Sequence, residues 1–146
     1  MKRVLVETAD FDTGFELGTL ATLGSGGVAC FIGHVRGDDG LTAMALEHYP
    51  AMTGATLDAL ADEAMTRWGL DGVTLIHRVG RLEPGDRIVL VATAARHRAS
   101  ALEACAYLID RLKTDAPFWK KEEFADGRAD WVDARAADDA ASGRWD

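Results

Sequence analysis

The chain has 146 residues, 48% of them hydrophobic and 27% charged, a balance that excludes a disordered polymer and suits a single domain spanning 1–146 with its own core. Its formal net charge of −8, from 24 acidic against 16 basic residues, excludes a general nucleic-acid binder, which needs Lys and Arg spread across a whole face. Places where cations do cluster are therefore informative.

The first residues, Met1-Lys2-Arg3-Val4-Leu5-Val6-Glu7, meet an acid too early for the apolar run of a signal peptide, and no uncharged apolar stretch is long enough to span a bilayer. A cytoplasmic protein is expected. Residues 2–7 read as a strand, and Asp12 is placed to cap a short helix with Phe15, Leu20 and Leu23 near one face. Gly24-Ser25-Gly26-Gly27 ends that helix. It precedes a strand and lacks a following Gly-Lys-Ser/Thr, so it is a turn and not a phosphate loop.

Residues 28–35 and 41–49 are strand-like runs on either side of Gly37-Asp38-Asp39-Gly40, a composition suited to a hairpin, and Pro50 stops the second. From 53 to 68, Leu57, Leu60, Ala61, Ala64, Met65 and Trp68 recur at helical spacing before Gly69. A second β-branched pair, 73–79 and 87–94, flanks a turn around Pro84-Gly85. Ser100 with Glu103 has the spacing of a capping box, opening a helix with Leu102, Cys105, Leu108, Ile109 and Leu112 on one face. Residues 118–124 and 129–135, around Asp126-Gly127, suggest a last short hairpin, and the Ala/Asp-rich tail after about residue 135 suggests mobility. The order is mixed α+β.

The two cysteines, Cys30 and Cys105, lie far apart within apolar patterns and read as buried small hydrophobes. His48 and His77 fall in strand patterns and read as packed or capped. No HxxxH, HExxH or paired-Cys spacing supports a metal site.

Two cationic groups stand out. Arg96-His97-Arg98 precedes the second long helix, where free N–H groups favour a phosphate or carboxylate, although a basic triplet is also an ordinary solvated loop. Lys113 near the end of that helix, followed by Lys120-Lys121-Glu122 beside Phe118-Trp119, is ordinary compensation of the helix dipole on one reading. On the other it is a lysine crowded by cations and partly desolvated, able to act as acid, base or nucleophile. Fifteen residues of helix would hold Arg98 and Lys113 about 20 Å apart, too far for one small substrate to touch both. If both ends serve one site, a symmetric dimer is the simplest solution, with Arg96-His97-Arg98 of one chain meeting Lys113 and Lys120 of the other. Gly33-His34-Val35-Arg36 leaves a strand at a sheet end, where backbone can approach a ligand.

Taken in order, Gly33-His34-Val35-Arg36, Leu46-Glu47-His48-Tyr49-Pro50, Ile76-His77-Arg78-Val79-Gly80, Pro84-Gly85-Asp86, His97-Arg98, Leu112-Lys113-Thr114 and Ala116-Pro117-Phe118-Trp119-Lys120-Lys121-Glu122 closely resemble one family. The chain is similar to the catalytic large subunit of molybdopterin synthase from about residue 28 to 135. The resemblance implies an α/β hammerhead with an added antiparallel β subdomain, and a central homodimer flanked by two small ubiquitin-like subunits as a heterotetramer. The implied reaction is a sulfurtransferase step of molybdenum cofactor biosynthesis. Cyclic pyranopterin monophosphate becomes molybdopterin as two sulfurs enter as a dithiolene, each from a thiocarboxylate at the partner's C-terminal Gly-Gly.

Carried over by the resemblance, the substrate contacts are His34, Val35, Arg36, His97, Arg98, Lys113, Lys120, Lys121 and Glu122, with Lys113 central and Lys120 assisting. No cofactor, metal, membrane or nucleic acid is implied, and sulfur arriving as a thiocarboxylate requires no persulfide cysteine. His34 departs from the family, which commonly has a lysine there. A non-enzymatic module binding a ubiquitin-like partner or a phosphorylated metabolite through the same cations is the alternative, and a phosphate-ester hydrolase using His97 lacks paired acids or metal ligands.

Overall fold

The computed structural model describes residues 1–132 and 136–146. In chain order it contains β1 (Lys2–Glu7), α1 (Thr13–Ala21), β2 (Gly27–His34), β3 (Leu41–His48), α2 (Pro50–Trp68), β4 (Gly72–Arg78), β5 (Gly80–Leu82), β6 (Arg87–Ala95), α3 (Arg98–Asp115), β7 (Phe118–Phe124), β8 (Ala129–Val132) and α4 (Ala136–Gly143). They build two four-stranded sheets, ordered β1-β4-β6-β2 and β5-β3-β7-β8. Only β1 and β4 run parallel among the described pairings; the others are antiparallel. The α+β expectation is met.

Alternation along β4 explains the layering of the first sheet. Val73 and Leu75 face α2 and α3, joining Leu57, Leu60, Ala104 and Leu108 in the main core, whereas Ile76 faces the smaller cluster under α1 with Leu20 and Leu90. A third cluster, Val35, Met44, Leu46 and Leu82, lies under the second sheet. Phe118 packs against both the main core and this third cluster, and so joins the two sheets.

Local signals set several boundaries. The Asp12 carboxylate accepts from the Phe15 backbone N–H at 3.0 Å, capping α1. Pro50 opens α2, where its missing N–H costs nothing, and Gly69 closes it in the left-handed region at φ 60°. In and just after α1, Leu20 is buried and Leu23 packs beside it as expected, but Phe15 is 64% exposed, while Glu16 is buried beneath Arg3, which donates two bonds of 2.8 and 2.9 Å to it.

Four further expectations are corrected. Runs 28–35 and 41–49 do not pair as a hairpin: β2 pairs with β6, and β3 pairs with β5 and β7. The cause lies at Val35, whose N–H donates to the Asp86 carbonyl at 2.9 Å and whose carbonyl accepts from Gly85 at 2.9 Å, carrying the chain to the other sheet. The capping box does not form, because α3 starts at Arg98 with His97 as N-cap, and the Glu103 carboxylate instead accepts from Trp68 Nε1 at 3.0 Å. Leu102 points outward at 60% exposure. Cys30 is exposed on edge strand β2, while Cys105 is buried as expected.

The last hairpin is present through Val132; its expected continuation to 135 lies outside the described residues. Of the tail, for which composition suggested mobility, α4 and the residues after it lie against α3. The Arg144 guanidinium and Trp145 Nε1 both donate to Asp110 at 2.7 Å, and Arg111 donates to Asp146 at 2.9 Å.

Candidate active site

Helix α3 carries a cationic group at each end. At its N-terminus Arg96, His97 and Arg98 are exposed. The Gly24–Gly27 turn supports them from behind: a Cβ on Gly26 would collide with the Arg96 carbonyl oxygen, so this close approach requires glycine. The turn is thus a backing for the basic loop. At the other end Lys113 lies in the last turn of α3, and the chain passes through Ala116 and Pro117 into β7, which carries Lys120, Lys121 and Glu122.

The strand period divides those three. Lys120 and Glu122 share a face with Phe118, opposite Leu46 and Met44 of β3, while Lys121 lies on the outer face with its ammonium 5.8 Å from the Trp131 ring centroid. Within one chain, Lys113 at the end of α3 therefore leads into the β7 face that carries Lys120 and, further along, Glu122, while Arg96, His97 and Arg98 lie at the other end of α3.

His34 is exposed at the end of β2, where the ladder with β6 shifts register after Gly33. Arg36 is exposed, its guanidinium 3.7 Å from the Asp38 carboxylate. Val35, expected among the substrate contacts, is 4% exposed and packs in the third cluster. Its backbone groups already bond Asp86 and Gly85, so its role is to hold His34 and Arg36 at the sheet end.

Sequence reasoning placed His48 and His77 in the framework, and the structure adds that both border the lysine corner. His77, partly buried, donates from Nδ1 to the Arg78 carbonyl at 2.8 Å, and its ring stacks on Phe118 with centroids 4.0 Å apart at 21°. His48 is paired with Phe118 across the β3–β7 ladder, ring centroids 6.1 Å apart, and shares a hydrogen bond with Thr53 Oγ1 at 3.2 Å. Burial first, and then the nearby Lys113 ammonium, push the His77 imidazole down to about 4, so that it is neutral at pH 7. Arg78 bonds the carbonyls of Thr8 and Arg87 and fixes the strand ends around this corner.

Two open depressions flank His48. One, of about 480 Å³, runs between β1 and the start of α2 and is lined by Val4, Val6, Pro50 and Asp58; the other, of about 380 Å³, is lined by Glu47, Tyr49, Trp119 and Trp131. Neither is lined by Lys113, Arg98 or Arg36. Lys113 is exposed, so the desolvation expected to activate it is not supplied by this chain alone. Among the described residues no group of three His, Cys, Asp or Glu side chains could hold a metal ion. Cys105 is buried with its thiol pushed up to about 12, which removes it from sulfur chemistry.

The family model described as MoaE protein matches residues 6–115. The chain belongs to the MoaE family. Among its relatives, the molybdopterin synthase catalytic subunit of Ralstonia nicotianae is 49% identical over 150 residues, covering 99% of this chain and 85% of that protein. The solved structure of the molybdopterin biosynthesis MoaE protein from Burkholderia ambifaria superposes with a TM-score of 0.84 at 50% identity, covering 99% of this chain and 98% of that one. Molybdopterin synthase from Staphylococcus aureus superposes at 0.80 with 31% identity over 88% of this chain and 95% of its own. The fold is that of MoaE, and the chain is an enzyme subunit of molybdenum cofactor biosynthesis. The family match ends two residues after Lys113, but the similarity to these full-length MoaE proteins extends through β7 and so takes in Lys120.

Proposed function

We propose that this chain is the catalytic subunit of a molybdopterin synthase, a sulfurtransferase that converts cyclic pyranopterin monophosphate to molybdopterin. The observation that carries the reading is the lysine corner: Lys113 at the end of α3 and Lys120 on the inner face of β7, joined through Phe118, in a chain of the MoaE family. Sulfur comes from a small ubiquitin-like subunit ending in a Gly-Gly thiocarboxylate. Each of two such tails gives up its sulfur to one carbon of the dithiolene and leaves as a carboxylate.

The chemistry asks for cations where anions meet. The substrate phosphate and the incoming thiocarboxylate are both negative, and on a chain of net charge −8 the two ends of α3 supply the required local field. Arg36, His97 and Arg98 hold phosphate and pterin. Lys113 and Lys120 steer the thiocarboxylate and move protons as sulfur replaces oxygen, with Lys121 and Glu122 at the margin.

Because the two cationic groups lie at opposite ends of one helix, a complete site needs a second chain, whose Arg98 comes to this chain's Lys113. Dimerisation also supplies the desolvation that exposed Lys113 lacks. The working assembly is a homodimer with one small subunit on each side, acting in the cytoplasm; among the described residues no helix is long and apolar enough to cross a membrane.

Incubation with thiocarboxylated partner and the cyclic pyranopterin, with mass detection of the product, tests the proposal. A dithiolene product is expected, and its absence where partner and substrate both bind would overturn the reading.

A further inference from the structure

We propose that His77 is a positioning residue for the reaction: its ring, stacked on Phe118, sets the placement of Lys113 and Lys120 relative to each other. The inference rests on the reading of those two lysines as the reacting pair.

The geometry begins with connectivity. Lys113 and Lys120 are fixed by different elements, the last turn of α3 and the second strand position of β7 after Phe118, and the link between them is short. Ala116 is extended, Pro117 has no N–H, and the Phe118 N–H donates to the Ala116 carbonyl at 2.9 Å. What anchors the link laterally is the Phe118 ring, the side chain shared by the main core and the cluster under the second sheet.

One face of that ring lies on His77, at 4.0 Å and 21°, which is close to parallel stacking. His77 is itself held: Nδ1–H is tied to the Arg78 carbonyl, and its strand sits between β1 and β6, with Val6 and Val89 as neighbours. The stack therefore connects an inner strand of the first sheet to the first residue of β7, two residues before Lys120 and five after Lys113. Strand period places Lys120 on the same face of β7 as Phe118, so a displacement of the β7 backbone at Phe118 moves the lysine two residues on.

An aromatic ring performs this task where an aliphatic side chain would not, because it offers a flat face; in the imidazole the Nδ1–H bond to the Arg78 carbonyl also holds the plane of that face. It must also remain neutral, since a charged ring would repel Lys113. The charged and titratable groups that act on it are Lys113 and His48, and burial together with both of them opposes protonation. Nothing requires His77 to touch substrate.

The test compares His77→Ala with His77→Phe in the full chain with its thiocarboxylated partner. Removing the platform is expected to lower kcat by about 10-fold to 100-fold, the usual penalty for about 1 Å of misplacement, while the KM for the pyranopterin stays nearly constant. His77→Phe restores the flat face without the imidazole and should recover most of kcat. Should His77→Ala fail to fold, Phe118→Leu keeps the joint apolar, removes the ring and carries the same expectation.

A second readout is independent of turnover: the side-chain NMR signals of Lys113 and Lys120 should shift in His77→Ala and return in His77→Phe. Full activity in His77→Ala, or a His77→Phe protein as impaired as His77→Ala, would overturn the positioning role, as would lysine signals unmoved by either change. A wild-type protein inert towards the pyranopterin would overturn the proposed function instead, and the lysine signals would still decide whether His77 positions the pair.

Discussion

Arg98 and Lys113 open and nearly close the same helix, so that α3 holds them about 22 Å apart at 1.5 Å per residue. No bending of a continuous helix brings them to one small substrate. On the proposed reading, the helix measures out the distance between two half-sites, each completed by another chain.

The first prediction concerns Lys113. Lys113→Ala should lower the rate of dithiolene formation by about 100-fold or more while the small subunit still binds, because in the proposed function the lysine acts on the reacting groups, and its side chain is exposed in the free chain. Titration calorimetry with the partner, run beside the product assay, separates the two effects. A proportional loss of both would assign Lys113 to docking.

Acid should destabilise the fold through His77. Its folded-state value of about 4 lies below the ordinary 6.5, so between these values the unfolded chain binds a proton that the folded chain refuses. The neutral ring's contribution is whole above pH 6.5, shrinks as pH falls through that window, and is gone below about 4. The full span corresponds to at most about 3 kcal/mol. Urea unfolding of wild type and His77→Phe from pH 7 to 4 should show a steeper decline for wild type; parallel curves would mean that the folded chain protonates His77 as readily as the unfolded one.

The cysteines should differ sharply in reactivity. Cys30 is exposed, whereas Cys105 is buried with its thiol pushed up to about 12 and its Sγ directed at the Val91 carbonyl. Iodoacetamide at neutral pH should alkylate Cys30 alone in the native chain, and Cys30→Ala should retain full turnover with a thiocarboxylated partner. Loss of turnover in Cys30→Ala would place a thiol in the sulfur path.

How much of this was legible beforehand depends on how local each signal is. Asp12 as a cap, Gly69 as a helix stop and the β-branched run of 73–79 act through near neighbours, and the structure shows a cap, a stop and a strand at Gly72–Arg78. The supposed hairpin of 28–49 failed because loop composition at Gly37–Gly40 cannot reveal that Val35 is held by Asp86 and Gly85. Cys30 and Leu102 sit in apolar patterns, yet one is on an edge strand and the other on an outer helix face, and a pattern without its partners does not separate inside from outside. The site divides in the same way. Its cations were visible as anomalies on an acidic chain, whereas the His77–Phe118 stack, which joins two sheets, exists only once the strands are paired.

The C-terminal residues give a stability prediction. Trp145 meets Trp68 and Tyr107 edge-on at 5.6 and 5.7 Å, donates to Asp110, and accepts at its carbonyl from Arg67 at 3.0 Å. Trp145→Ala should cost about 2 kcal/mol and speed amide hydrogen exchange in α4 first, since α4 is held to α3 by this cluster and by the Ser142 contacts of Arg111 and Thr114. Unchanged exchange in α4 would show that the helix is held by something other than this indole.

The claim that α3 serves two sites is tested most directly by complementation. Lys113→Ala and Arg98→Ala chains, each inactive as homodimers, are unfolded, mixed in equal amounts and refolded with the partner. Half of the resulting dimers are mixed, and each of these has one site with both residues intact, so about one quarter of the wild-type rate should return. A mixture that stays as inactive as its components would place Arg98 and Lys113 in separate functions and contradict the shared site.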